Sequence, residues 1–378
     1  MENYIYHEAQ PENRKSSGYE PQTVVDFVLN AQGRSLVPNS IKIVGELRVN
    51  SNGDTQVPYG TYSTHKINRK AGIHSTIESI SCSTTNQGNL ESLNNYNRYV
   101  AMEETATAYR DDYMNASKIV ELKCASEVES GLNCNRDGQT YFTADAVSDS
   151  TTESRNISFA MKPRCCLNRF AGGSLAFAKT GAMQVSITLA RSAAVLYGIN
   201  LNAGANYKLV NIKLCYATVP SEAQPPKVLM NKTNNIKTSI SSASANISAN
   251  VPSSSVKGVS ISFQEQAKEN TFSDDNLACA RLSGLSSLQF IFNDSLNKYI
   301  NYVLQSDSEI LDHAVRSFGS AGHNNVNVTQ LTQGTNMIVG TAFENFVDFT
   351  RSSFDVQLAS SIDTAHNVYL YFHSSISL

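Results

Sequence analysis

The order of β-forming segments in this 378-residue chain runs twice, and that duplication limits the fold more than any single motif does. Strict apolar–polar alternation marks residues 183–189 and 210–216 in the first half, and 354–358 and 368–372 in the second. A period of two puts one face of a strand on a core and the other toward water or a partner. Earlier strand patterns carry Ile41, Ile43, Leu47 and Val49 in the first half; in the second, residues 243–251 and Val259, Ile261 and Phe263 do the same. Apolar runs at 77–82 and 288–292 each precede a recurring phrase, Leu93-Asn94-Asn95-Tyr96-Asn97-Arg98-Tyr99-Val100 and Leu296-Asn297-Lys298-Tyr299-Ile300-Asn301-Tyr302-Val303. The offset is 296 − 93 = 203 residues. An internal repeat in matching surroundings predicts two copies of one domain.

Within each phrase three apolar or aromatic residues fall at i, i+3 and i+7: Leu93, Tyr96 and Val100, then Leu296, Tyr299 and Val303. That spacing lines one face of a helix, so these six residues are the expected packing face of a short helix in each half. Asn89, and Asn293 or Asp294, are the candidate N-caps. The fold class expected is therefore all-β: two consecutive β-sandwiches, each with a short flanking helix.

The length suits two ordinary domains. Pro220, Pro225 and Pro226 stiffen the stretch after the 210–216 strand and cannot donate to a ladder. This sets the linker at 221–227, the first domain at 23–220 and the second at 228–378. Residues 1–22 mix charge and proline without an apolar run, which excludes a signal peptide and reads as a flexible arm. From the second repeated Tyr to the closing strand is 216 − 99 = 117 residues in the first half and 369 − 302 = 67 in the second. The surplus falls in the polar stretch 121–155, expected as a long exposed loop.

Composition argues mainly by exclusion. A net charge of −3 without a basic patch gives no electrostatic footprint for nucleic acid. No apolar run reaches the ~18–20 residues that span a bilayer. Seven cysteines, an odd count without CxxC spacing, argue against a disulfide framework or zinc site. Cys82 and Cys215 sit in strand patterns as small core residues. Cys124 and Cys134 bracket a turn and could pair. Cys165 and Cys166, being adjacent, would point to opposite faces of any strand, so they are not expected to bind one tetrahedral metal together. Six N-x-S/T sequons, beginning at Asn115, Asn156, Asn231, Asn246, Asn293 and Asn327, reflect abundant Asn and Ser. No GxSxG, GxGxxG, P-loop or HExxH pattern occurs, and the seven histidines are scattered. Glu103 and Glu104 are expected to face solvent. Tyr369, Tyr371 and His373 share the face of the last strand opposite its core face, which could lie on the solvent side or, being amphipathic and aromatic, meet another sheet or subunit. No catalytic residue, cofactor site or metal site is expected.

The segment Gly72-Ile73-His74-Ser75-Thr76-Ile77-Glu78-Ser79-Ile80, followed by Gly88 and residues 93–102, resembles a strand–loop–helix stretch in one viral family. Its members are the double jelly-roll major capsid proteins of tailless icosahedral DNA viruses, the lineage of adenoviruses, membrane-containing phages, virophages and polinton-like viruses. The closing stretch, 338–343 through 347–349 to Tyr369-Leu370-Tyr371-Phe372-His373, is similar to the end of their second barrel. The resemblance covers residues 23–378. It implies two eight-stranded jelly rolls and a non-enzymatic chain that assembles as a homotrimer, a pseudo-hexagonal capsomer whose six barrels tile an icosahedral virion. The 121–155 loop would then help form an outer tower. Implied partners are neighbouring capsomers and penton and minor capsid proteins; contact with an internal membrane is left open, and sequence-specific nucleic-acid binding is not expected. Implied location is the virion, after synthesis in the host cytoplasm without secretion. Other readings of a tandem sandwich are a carbohydrate-binding or spike-like protein, a minor capsid or penton protein, and a jelly-roll enzyme. Absence of Trp argues against the first, and absence of clustered His and carboxylate ligands against the last.

Overall fold

A computed structural model of the chain describes residues 3–57, 64–108, 120–124, 156–198, 200–222, 227–293, 298–300, 303–323, 325–327, 331, 336–350 and 352–378. The first half supplies eight principal strands: β1 (Ile5–Ala9), β2 (Val24–Leu29), β3 (Lys42–Asn52), β4 (Ile77–Thr84), β5 (Gly88–Asn94), β6 (Ile157–Met161), β7 (Met183–Leu189) and β8 (Asn206–Pro220). Helix α1 (Tyr96–Thr107) follows β5 directly. The second half repeats the plan with β9 (Leu229–Ile240), β10 (Ser244–Ala249), β11 (Val256–Glu265), β12 (Ser287–Asn293), β13 (Lys298–Ile300), β14 (Ile338–Val347), β15 (Phe354–Ala359) and β16 (His366–Ser377). Helix α2 (Asp307–Ser320) lies between β13 and β14.

Strand order is the same in both halves. In the first, β6-β3-β8-β1 form one sheet and β2-β7-β4-β5 the other; short ladders at 34–36, 55–56 and 175–176 extend the former. In the second, β14-β11-β16-β9 face β10-β15-β12-β13. Counting strands from one to eight, each half pairs sixth-third-eighth-first and second-seventh-fourth-fifth. The neighbours are antiparallel, and this is the double-sheet jelly roll.

Alternation in sequence becomes alternation in burial. β7 buries Met183, Val185, Ile187 and Leu189 while the residues between them are half-exposed. β16 is covered on both faces, and its two residue sets go to different places. Val368, Leu370 and Phe372 join the interior of the second sandwich, where Phe354 and Phe372 meet edge to face 5.9 Å apart. Tyr369 and Tyr371 belong to the apolar cluster that fills the first sandwich and spreads over the outside of the second. The face of the last strand that faces away from its own core is thus the contact with the other barrel.

Several expectations need correction. Residues 5–9, expected in a loose arm, are the first strand of the first jelly roll, paired in register from Ile5↔Thr218 to Ala9↔Leu214. The helix expected over 296–303 is absent there: Lys298–Ile300, including Tyr299, form a strand, and Val303 is exposed. Leu296 lies outside the described residues. The repeat is real at the level of elements but its register differs from the phrase. Strand starts are offset by 287 − 77 = 210 and 298 − 88 = 210, and helix starts by 307 − 96 = 211, against 203 for the matching letters. The helix of the second half carries the stronger local signal. Ser306 Oγ accepts from the Glu309 N–H at 3.4 Å, and Glu309 Oε2 accepts from the Ser306 N–H at 3.0 Å, a reciprocal cap. In α1 the expected cap Asn89 lies within β5; the chain instead enters the helix through Asn95, in the left-handed region at φ 49°.

Candidate functional site at the junction of the two barrels

Every residue of α1 from Tyr96 to Ala106 is buried, although the sequence there includes Arg98, Glu103 and Glu104. The helix is wedged between the barrels, so its charged residues sit inside the molecule and need partners. Glu103 and Glu104, expected at the surface, are both 2% exposed.

The partners come from distant parts of the first half. Lys123 Nζ, fully buried, donates to Glu104 Oε1 at 2.7 Å and to Glu121 Oε2 at 2.6 Å. Arg164 Nη2 donates to the same Glu104 oxygen at 2.7 Å. Arg169 donates to Glu103 and, through Nη1, to the Tyr99 hydroxyl at 3.1 Å. Glu121 and Lys123, placed by sequence in the exposed loop, are core residues; residues 125–155 of that loop lie outside the described residues. Gly72 explains how Glu121 gets there. Its φ is +56°, and a Cβ would collide with the Glu121 carbonyl, to which the neighbouring Ile73 N–H donates at 2.8 Å.

Burial and charge compete at each carboxylate. Desolvation opposes ionisation of Glu121, but the Lys123 ammonium, with His74 and Arg164 nearby, holds its carboxyl well below the usual range. Burial is likewise outweighed at Glu103 by Arg169 and Arg164. His74 goes the other way: burial lowers it to about 4, so the ring is neutral and its Nδ1 lies 2.8 Å from the Tyr96 hydroxyl.

A second set of contacts ties α1 and β5 to the outer face of the second barrel. Tyr371 OH donates to the Asn95 carbonyl at 3.1 Å, and its ring lies 5.2 Å from that of Tyr99. The Arg98 guanidinium stacks 4.4 Å over the Tyr369 ring and donates to the carbonyl of Asn276. Glu91 on β5 accepts the Thr233 N–H of β9 at 2.7 Å, and Asn235 Oδ1 accepts the Asn94 N–H at 3.0 Å. His323, just after α2, lies 2.6 Å from Glu103. Residues 170–171 add a short strand to β9, so a piece of the first half is hydrogen-bonded into the second barrel's sheet.

Of the six residues expected to pack as helix faces, Leu93, Tyr96 and Val100 are buried in this junction, Leu93 from the end of β5 rather than from the helix. Of the other three, Val303 is exposed, and Leu296 and the side chain of Tyr299 lie outside what is described. Sequence reading missed Lys123, Arg164 and Arg169, whose only local signal is their charge. It also misjudged Cys165 and Cys166: they lie in the turn between β6 and residue 170, not in a strand. Cys124 is disulfide-bonded, with a partner outside the described residues. No helix among the described residues is long and apolar enough to cross a membrane.

The arrangement holds two jelly rolls side by side as one unit, with a cleft of about 500 Å³ between them lined by Glu78 and Arg98 from the first half and Lys237, Glu269 and Tyr369 from the second. No family model matches the sequence, and no curated protein matches it. Solved structures do. The PBCV-1 virus capsid superposes with a TM-score of 0.61 at 12% identity, covering 100% of this chain and 95% of that one. The Faustovirus major capsid protein gives 0.63 at 8% identity over 100% and 90%. The mavirus major capsid protein gives 0.53 at 9% identity over 99% and 90%. This chain has the double jelly-roll fold. Its likeness runs the full length, and the resemblance read from the Gly72–Met102 and closing stretches is to the same class of proteins.

Proposed function

We propose that this double jelly-roll chain is a major capsid protein that self-assembles into trimeric pseudo-hexagonal capsomers of an icosahedral virion. The observation that carries the reading is the repeated strand order within one chain, locked side by side by a buried charged helix and matched over its whole length by capsid proteins. Two similar upright barrels per chain give a threefold assembly six nearly equivalent side walls, the shape that tiles a shell. The role is structural rather than catalytic, and its partners are copies of itself, neighbouring capsomers, and penton and minor capsid proteins. Domain limits follow the strands: a first barrel from residue 5 to Pro220 and a second from Val228 to the end. Residues 125–155, inserted between β5 and β6 beyond α1, are suited to the outer surface of the capsomer.

Mass photometry of recombinant protein, followed by negative-stain imaging, tests the proposal. A species at three times 41.2 kDa with a hexagonal outline supports it. A monomer or dimer at micromolar concentration, without that outline, refutes it and favours a glycan-binding double sandwich.

A further inference from the structure

Two buried cysteines and a glutamate converge where the β4–β5 pair meets the turn after β6, with a third cysteine beside them. Cys82 on β4 and Glu91 on β5 are direct cross-strand partners, next to a break in register between Cys82 and Ser83. Cys166 comes from the turn that follows β6. The Cys82 and Cys166 sulfurs and the Glu91 carboxylate all lie within 4.8 Å of one another, and all three residues are buried. Cys165, the buried neighbour of Cys166, lies beside this set but is not within 4.8 Å of all its ligand atoms. A turn makes this possible: in a strand, Cys165 and Cys166 would diverge.

We propose that Cys82, Cys166 and Glu91, with Cys165 as the fourth ligand, form a structural site for a soft divalent cation, zinc in the first instance. Thiolate and carboxylate ligands around zinc stand at ~2.0–2.3 Å, which sets sulfur–sulfur edges of about 3.8 Å in a tetrahedron. The Cys82, Cys166 and Glu91 ligand atoms, within 4.8 Å of one another, need to close by about 1–1.3 Å at most, and Cys165 has to rotate in further to complete the set. The second shell is in place. Glu91 Oε2 accepts the Cys166 N–H at 2.6 Å and Oε1 accepts the Thr233 N–H at 2.7 Å, so the carboxylate is fixed from both barrels. The Arg169 guanidinium supplies positive charge nearby. Binding would release the thiol protons to solvent and leave the ligand charge shared between the cation, Arg169 and the two amides. Without a cation the group is held by packing and by the two amides that bind Glu91. With one, β4, β5, the 163–169 segment and, through Glu91, β9 are tied at a single point. The inference concerns this chain's own residues and does not depend on what the chain assembles into.

The test is metal analysis of the full-length protein, purified under reducing conditions without chelator and incubated with equimolar zinc. One zinc per chain by plasma mass spectrometry is expected, falling at least tenfold in Cys82→Ser and Cys166→Ser. Cys279→Ser, which removes a buried free cysteine elsewhere, should keep it. Cobalt loading of wild-type protein gives a second readout that needs no variant: thiolate-to-metal charge-transfer absorbance is expected. Less than about a tenth of an equivalent of either metal in folded wild-type protein overturns the proposal, as does zinc retained in folded Cys82→Ser. A disulfide joining Cys82 to Cys165 or Cys166 in freshly purified protein, seen by intact and peptide mass spectrometry, also overturns it.

Discussion

Replacing Lys123 with Met is the sharpest test of how the junction is held. The side chain is fully buried, and its ammonium serves two carboxylates, Glu104 at 2.7 Å and Glu121 at 2.6 Å. The two are not equally dependent on it. Glu104 keeps Arg164 Nη2 at 2.7 Å, whereas Glu121 is left with a backbone N–H from Lys162 and a neutral His74. Stranding one buried charge costs about 3–5 kcal/mol. At ~2.1 cal/mol/K of unfolding entropy per residue over this chain, that corresponds to a fall of roughly 4–6 °C in Tm for cooperative unfolding. Adding Glu121→Gln to Lys123→Met should recover most of the loss, because it removes the stranded charge and keeps the bond from Lys162. Adding Glu104→Gln should recover little. The pH dependence follows from the signs. In the wild type Glu121 is held below its unfolded pKa, so its contribution is full above that value and is lost as pH falls through the folded one. In Lys123→Met burial loses its main opposing charge, so the penalty is largest near neutrality and relaxes in acid. The gap between the two proteins should therefore narrow from pH 7 to pH 4. Differential scanning fluorimetry across that range measures it. A Tm within 1 °C of wild type for Lys123→Met at pH 7, or equal rescue by either Gln, would refute the reasoning.

Acid should weaken the junction through its buried histidines. Burial lowers His74 to about 4 and His373 to about 3, below the ordinary 6.5, so the folded state binds fewer protons than the unfolded state in this window. Their contribution is full above pH 6.5 and falls by about 2 kcal/mol per histidine on going down to pH 5; urea titrations at both pH values should show the loss, reduced in His373→Gln. Tyr371→Phe, which removes the hydroxyl bond to Asn95, should cost about 0.5–1.5 kcal/mol, against about 3–5 kcal/mol for Tyr371→Ala, by the same titrations. Gly72→Ala should abolish the yield of soluble protein, since a Cβ cannot share space with the Glu121 carbonyl, while Ser306→Ala, which loses only the α2 cap, should unfold about 1 kcal/mol more easily and remain soluble.

The sequence by itself determined the strands and their doubled order. A period of two is a local property, and wherever it is clean, as at Met183–Leu189 and Phe354–Ala359, the strand is where the letters put it. The two faces of β16 were legible for the same reason: Val368, Leu370 and Phe372 against Tyr369, Tyr371 and His373. Tertiary structure alone decided which face of that strand meets another barrel, and it reversed the reading of α1. Tyr96–Thr107 carries three charged side chains that mark a solvent face when read locally, yet the partners that make their burial tolerable lie elsewhere along the chain: Lys123, Arg164 and Arg169 for Glu103 and Glu104, Asn276 and Tyr369 for Arg98. A similar dependence hid β1. Ile5–Ala9 has no strong pattern of its own and becomes a strand because β8 offers it an unpaired edge some two hundred residues away. The repeated phrase misled for the opposite reason. Short-range letter matches fixed a register of 203, while the elements repeat at about 210, because the fold conserves the sequence of strands and the packing between them rather than any one helix-forming string. Local periodicity can be read from the chain; which charges, thiols and edges find each other is set only when the two barrels close on α1.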